Sequence, residues 1–299
     1  MATANSAGAL FRGTGVALVT PFLVDGSVDY SSLHKLIDHC IEGGVNYLVA
    51  LGTTAETPTL TSDEKKQVLQ EVVKHAAGRV PVVCGLGGNN TAEVLENIAS
   101  YPLEGVAGLL SVVPYYNKPS QEGLYQHFKT IASDTDLPII LYNVPGRTVT
   151  NMLPKTAIRL AEDCPNIVAI KEASGNMAQI MELIAGKPED FVVLSGDDNL
   201  VVPQVSVGME GVISVAANCF TSDFCQMVNA ALDGDFNKAR TLHYKLLSGI
   251  DLLFAEGNPA GVKQVLTDMG IIRNNLRLPL VPASKELAGK LQEFSMATA

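Results

Sequence analysis

Eight short apolar runs, rich in β-branched residues, recur along the chain and begin near Val16, Tyr47, Val80, Gly108, Pro138, Ile167, Phe191 and Gly211. They start 20 to 33 residues apart, which is about what a strand, a loop and a covering helix consume. Several, such as Leu109-Leu110-Ser111-Val112-Val113 and Pro138-Ile139-Ile140-Leu141-Tyr142, are nearly unbroken. Strands of that kind are covered on both faces, as in parallel sheets. The stretches between them carry helical patterns near Ser31 to Glu42, Thr91 to Tyr101, Gln121 to Ser133 and Pro154 to Glu162. Ser62-Asp63-Glu64 opens another helix, with acidic groups at the positive end of its dipole. Eight β-then-α units either close into a barrel or stay open as a doubly wound sheet. Periodicity does not separate the two; the count of eight favours an α/β fold of the (β/α)8 TIM-barrel kind.

After about residue 235 the strand signal stops, and helical periodicity takes over through Phe236, Ala239, Leu246, Ile250 and Phe254. The expected organisation is therefore a barrel over residues 11–235 and a small C-terminal helical extension over residues 236–299. Asn258-Pro259 reads as an N-cap followed by proline at the first helical position. A last helix is expected from Ser284 to Phe294, leaving Ser295 to Ala299 as a loose end.

Composition narrows the functional classes. The 299 residues are 47% hydrophobic and 17% charged, enough to bury a core near the upper size of a single one. A formal charge of −10 disfavours nucleic acid and anionic membrane surfaces. Any anionic substrate must then be met by local donors. Met1 to Leu10 has no basic start and no long apolar run, and no stretch approaches the roughly 18 apolar residues of a membrane helix; the expectation is a soluble, cytoplasmic protein. The cysteines at 40, 84, 164, 219 and 225 form no C-x-x-C pair and are expected as free buried thiols.

Chemistry in such a barrel sits at the C-terminal ends of the strands. Those ends are polar here: Gly52-Thr53-Thr54-Ala55-Glu56, Pro114-Tyr115-Tyr116-Asn117, Tyr142-Asn143-Val144-Pro145-Gly146-Arg147, Lys171-Glu172, Ser195-Gly196-Asp197-Asp198 and Ile213-Ser214. Alternation places Lys171 with Ala169 on one face of an otherwise apolar strand. A lysine pointing into the barrel would lose ammonium character by desolvation and attack a carbonyl; the position also suits an ordinary solvated lysine at a strand end. Tyr142 and Tyr116 suit core packing or a proton relay, with Thr54 able to link the two. Thr53 and Thr54 offer hydroxyls and amides for a small carboxylate, or a plain turn. Arg147, lifted by Pro145-Gly146, suits a bidentate carboxylate grip or a structural ion pair. Asp197-Asp198 suits tuning of substrate entry or, the favoured reading, capping of the helix that follows.

Other chemistries fit less well. Gly85-Leu86-Gly87-Gly88-Asn89-Asn90 lacks the third glycine of a dinucleotide fingerprint. There is no phosphate loop, no H-E-x-x-H and no nucleophile elbow, and the histidines at 34, 39, 75, 127 and 243 form no metal-ligand pattern.

Taken in order, Gly52-Thr53-Thr54-Ala55-Glu56, Tyr115-Tyr116-Asn117-Lys118-Pro119, Tyr142-Asn143-Val144-Pro145-Gly146-Arg147-Thr148 and Lys171-Glu172-Ala173 resemble the pyruvate-dependent class I aldolase superfamily that contains dihydrodipicolinate synthase and N-acetylneuraminate lyase. The resemblance runs from about Phe11 to Phe294. It implies a Schiff base between Lys171 and pyruvate, and a relay of Tyr142, Thr54 and Tyr116, the last reaching in from a neighbouring subunit. It further implies that Thr53 and the Thr54 amide hold the pyruvate carboxylate, and that the backbone at Gly196 and Ile213 lines the pocket. Arg147 matches the arginine that takes the carboxylate of aspartate semialdehyde, which the sialic acid lyase typically lacks. The implied product is 4-hydroxy-tetrahydrodipicolinate, on the way to lysine and diaminopimelate, made without metal or cofactor by a homotetramer of two tight dimers. Asn89, Glu93 and Tyr115 match an allosteric lysine site, but Ser62, Lys65 and Thr57-Pro58 depart from its pattern. The alternatives are another pyruvate aldolase or dehydratase acting on a sugar acid or hydroxy-oxo acid, and a non-catalytic barrel that binds a metabolite.

Overall fold

Parallel neighbours cannot be joined by a tight turn, so each apolar run must be followed by a crossover long enough to return the chain to the same edge. The computed structural model, which describes residues 7–298, resolves these crossovers as a closed barrel. Its strands are β1 (Gly13–Ala17), β2 (Tyr47–Ala50), β3 (Val82–Gly85), β4 (Gly108–Val112), β5 (Ile139–Asn143), β6 (Ile167–Glu172), β7 (Val192–Ser195) and β8 (Gly211–Ser214). They pair in chain order, all parallel, and β8 closes on β1. The covering helices are α1 (Tyr30–Glu42), α2 (Ser62–Ala76), α3 (Thr91–Ser100), α4 (Gln121–Ser133), the single turn α5 (Pro145–Thr148), α6 (Pro154–Asp163), α7 (Met177–Gly186), α8 (Val201–Ser206) and α9 (Thr221–Leu232). Residues 1–6, part of the stretch read as carrying no export signal, and Ala299 lie outside the described residues.

Two apolar layers follow from the alternation of side chains. Tyr47, Val49, Val83, Leu110, Ile140, Ala169, Leu194 and Ile213 fill the barrel, with Phe11 packed edge-on against Tyr47, ring centroids 5.8 Å apart. Intervening residues such as Leu48, Leu109, Ile139, Ile170 and Val193 face the helices. The helices begin where local chemistry satisfies their free amides. Thr61 and Glu64 form a reciprocal capping box on α2, and Asp29, Asn90 and Ser120 cap α1, α3 and α4. All five cysteines are free and buried. No helix of the described residues is long and apolar enough to cross a membrane.

Three helices follow the barrel: α10 (Phe236–Phe254), α11 (Ala260–Asp268) and α12 (Lys285–Thr298). Two sequence expectations need correction here. Helix α12 runs on to Thr298 instead of ending at Phe294, because Ser295-Met296-Ala297 contains no glycine or proline to stop it. Asn258 is not a helix cap: Pro259 holds the cap position of α11, and the Asn258 side chain turns away to Thr54, 204 residues earlier.

The segment between α11 and α12 is tied back to the barrel by Arg277. Its guanidinium makes two bonds to Glu64, of 2.5 and 2.8 Å, and others to the carbonyls of Gly26 and Thr59. These bonds hold the Glu64 carboxyl down at about 2. A carboxyl with a lowered folded-state pKa stabilises the fold fully above its unfolded value near 4.5 and ceases to do so as pH falls through about 2. Glu64→Gln is therefore expected to flatten the loss of stability between those limits, by about 1 kcal/mol for a partly solvated pair. Denaturant melts from pH 6 to pH 2 measure this; parallel curves for the two proteins would refute it.

Candidate active site

The register between β5 and β6 sets Tyr142 opposite Lys171 and Asn143 opposite Glu172. Ala169 and Lys171 face inward and Ile170 outward, as alternation requires. Lys171 is only 5% exposed, and its Nζ lies 4.4 Å from the centroid of the Tyr142 ring. The lysine that alternation sets on the face of Ala169 thus points into the barrel, and the structure adds the Tyr142 ring beside it. Ile213 lies in the same interior layer. Gly196, at the end of β7, donates its N–H to Glu172 O at 2.9 Å. A Cβ there would come within 2.5 Å of Ala173 Cβ and 3.0 Å of Lys171 Cε. Only glycine leaves the lysine stem its place.

Behind this pair, on the helix side, is a polar cluster that sequence reasoning missed. Asn143 Nδ2 donates to Glu172 Oε2 at 2.9 Å and to Asn151 Oδ1 at 2.8 Å, and the Ser174 amide donates to Glu172 Oε1 at 2.7 Å. Gln179 joins from α7. The cluster staples β5 to β6 one residue beyond Tyr142 and Lys171. Burial pushes the Glu172 carboxyl up, opposed by these donors. The signal was a carboxylate on the helix-facing side of an apolar strand, which has to be matched by donors.

The loop after β2 is shaped by a close approach. The Leu51 carbonyl presses on Gly85, where a Cβ would collide with it. Gly52 then starts a 3₁₀ turn over Thr53–Ala55, whose first internal bond is Ala55 N–H to Gly52 O; the Thr53 and Thr54 amides precede it. Thr53 is exposed and Thr54 buried. Thr54 Oγ1 accepts from Asn258 Nδ2 at 3.0 Å. Two residues on, Glu56 is fully buried against Lys263 of α11, and its Oε2 accepts from the Arg277 amide at 3.0 Å. Burial pushes the Lys263 ammonium down to about 8 against the pull of Glu56. Asn258 and Lys263 were not recognised as site residues, because their partners lie about two hundred residues away.

The remaining expected residues rim the opening. Arg147 is exposed on α5. Tyr116, on the loop after β4, is 89% exposed with φ 74°. Asn89 Nδ2 donates to Tyr115 O at 3.1 Å and Asn117 Nδ2 to Asn89 O at 2.8 Å, so the loops after β3 and β4 are stitched together, with Glu93 exposed in the first turn of α3. Left-handed backbone at Leu51, Glu56, Tyr116, Lys118 and Val149 falls in the loops after β2, β4 and β5, with one further instance, Ala77, where α2 ends. Strain of this kind persists only where surrounding structure enforces it.

The expected capping role of Asp197-Asp198 is also corrected. Neither side chain caps the turn it begins. Asp198 Oδ2 accepts the amides of Val215 and Ala216, at 3.0 and 2.8 Å, where β8 gives way to another 3₁₀ turn. Those two buried amides have no partner on their own element, and a carboxylate across the rim supplies one.

Gly196→Ala is expected to lower kcat/KM for a carbonyl substrate that reacts at Lys171 by at least about tenfold, because small displacements of a reacting group are costly. Steady-state rates at saturating second substrate measure this; an unchanged value would show that the stem tolerates the methyl group.

Comparison with known proteins identifies the family of the chain. The dihydrodipicolinate synthetase family matches residues 10–297. The 4-hydroxy-tetrahydrodipicolinate synthase of Parabacteroides distasonis is 52% identical over 282 residues, covering 94% of this chain and 95% of the relative. Dihydrodipicolinate synthase from Aquifex aeolicus superposes with a TM-score of 0.93 at 45% identity, covering 96% of this chain and 98% of that one. A chloride-inhibited dihydrodipicolinate synthase from Acinetobacter baumannii, complexed with pyruvate, gives 0.93 at 42% identity, with 96% and 98% covered. Matched over almost its whole length, the chain belongs to the dihydrodipicolinate synthetase family.

Proposed function

We propose that the chain condenses pyruvate with L-aspartate 4-semialdehyde to give 4-hydroxy-tetrahydrodipicolinate, as a Schiff-base-forming lyase of lysine and diaminopimelate synthesis. The observation that carries this reading is the buried amine of Lys171 at the C-terminal rim, beside the Tyr142 ring. The pyruvate complex of the Acinetobacter relative supports the first substrate.

In this mechanism the Lys171 amine adds to the pyruvate ketone, and the carbinolamine loses water to give an imine. A proton leaves the methyl carbon, and the enamine attacks the semialdehyde carbonyl. The amine of the second substrate then displaces Lys171 as the ring closes, so one water is released and the lysine is restored. Tyr142 and Thr54 carry protons to and from the carbinolamine. Thr53 and the amide of Thr54 hold the pyruvate carboxylate, beside backbone at Gly196 and Ile213. Arg147 grips the carboxylate of the semialdehyde in bidentate fashion.

Tyr116 completes the relay from a partner subunit. Its exposure and its enforced backbone suit a side chain presented outward for another copy. The assembly we propose is a tetramer of two tight dimers.

Borohydride with pyruvate is expected to leave a pyruvate-derived adduct on Lys171, read by peptide mass; an adduct on another lysine, or none, would sink the mechanism. Arg147→Ala should raise KM for the semialdehyde about 10–100-fold, the worth of a charged hydrogen-bonded contact, while adduct formation stays unchanged. Co-expressed Tyr116→Phe and Lys171→Ala chains should regain activity that neither has alone, since a mixed dimer holds one complete site. No regain in purified mixed dimers would mean that Tyr116 does not act across the interface.

A further inference from the structure

The three residues that grip the loop after β2 come from outside the barrel, and none contributes to the mechanism above. Asn258 donates to Thr54 Oγ1 at 3.0 Å, Lys263 pairs with Glu56, and the Arg277 amide donates to the other oxygen of Glu56. Thr54, Glu56 and Lys263 are all nearly inaccessible, and Asn258 is 8% exposed. The bond at Thr54 has a sense. A hydroxyl has one proton and two lone pairs, so an oxygen that accepts the Asn258 amide turns its own O–H elsewhere.

We infer that Asn258 is a positioning residue of the reaction: by donating to Thr54 Oγ1 it sets the direction in which the Thr54 hydroxyl passes its proton, while the Glu56–Lys263 pair keeps that amide in register. This rests on the relay proposed above. Pairing at Glu56 fixes the far end of the 3₁₀ turn that begins at Thr53, and Lys263 lies one turn into the helix that Asn258 and Pro259 precede. The loop is therefore held at two points by one rigid segment. An ion pair whose cation is pushed down to about 8 by burial adds little net stability and is better suited to fixing geometry.

The test replaces the donor and keeps the shape. Asn258→Asp presents only acceptors when ionised, so the Thr54 proton is drawn to residue 258. The expected result at pH 8 is a fall in kcat of about 10–100-fold, with KM for pyruvate within about threefold and the Lys171 adduct still formed. The deficit should shrink as pH falls, because the introduced carboxyl, once protonated, again donates to Thr54. Asn258→Ala should lose kcat without that acid recovery. Wild-type kcat in Asn258→Asp, or equal losses in both variants at every pH, would overturn the inference.

A double-mutant cycle serves even where Asn258→Asp folds poorly. In a Thr54→Val background, Asn258→Ala should lower kcat no further, since it acts through a hydroxyl already gone; an additional, additive loss would overturn the positioning role. If Thr54→Val alone keeps wild-type kcat, the relay fails and this inference with it. If Thr54→Val is impaired and Asn258→Asp is not, the relay stands and only the role of Asn258 falls.

Discussion

Parallel closure is the constraint from which the rest follows. Because every strand must be returned by a crossover, all eight C-terminal ends open onto one rim. Lys171, Tyr142, Thr54, Gly196 and Ile213 come from five different strands or the loops behind them, yet share one mouth without any direct link in sequence. The same constraint crowds the loops at that rim, as where the Leu51 carbonyl presses on Gly85. Five of the six non-glycine residues with left-handed backbone among the described residues, Leu51, Glu56, Tyr116, Lys118 and Val149, lie in loops of that rim.

Charge inside the protein is handled in two ways. Glu172 is surrounded by neutral donors, Asn143, Gln179 and the Ser174 amide, which accept its charge without adding another. Glu56 instead meets Lys263, with Phe22 under the ammonium at 4.3 Å. The first arrangement ties neighbouring strands together. The second ties elements more than two hundred residues apart and cannot be shifted without stranding a buried charge.

Most of the fold was legible in the sequence because strands covered on both faces are written as unbroken apolar runs, and seven of the eight begin within two residues of where the runs start. Lys171 was legible for the same reason, as a charge on the inward face of such a run. Residues whose roles depend on distant partners were not. Asn258 before a proline has the local form of a helix cap, and Asp198 before a helix has it too, but each serves a group on another element. Short-range rules describe what a side chain can do near home. They carry no information on a buried hydroxyl 204 residues away, or on two orphan amides at the end of another strand.

The grip of residues 258–277 on the loop after β2 also orders events during synthesis. Chains emerge from the ribosome N-terminus first and begin to fold as they do. The threonines at 53 and 54 are thus made early, but the groups that hold their loop, the side chains of Asn258 and Lys263 and the main-chain amide of Arg277, leave the ribosome only after all eight strands. A nascent barrel can close its sheet while the loop of Thr53 and Thr54 is still unset, so that part of the rim takes its final form last.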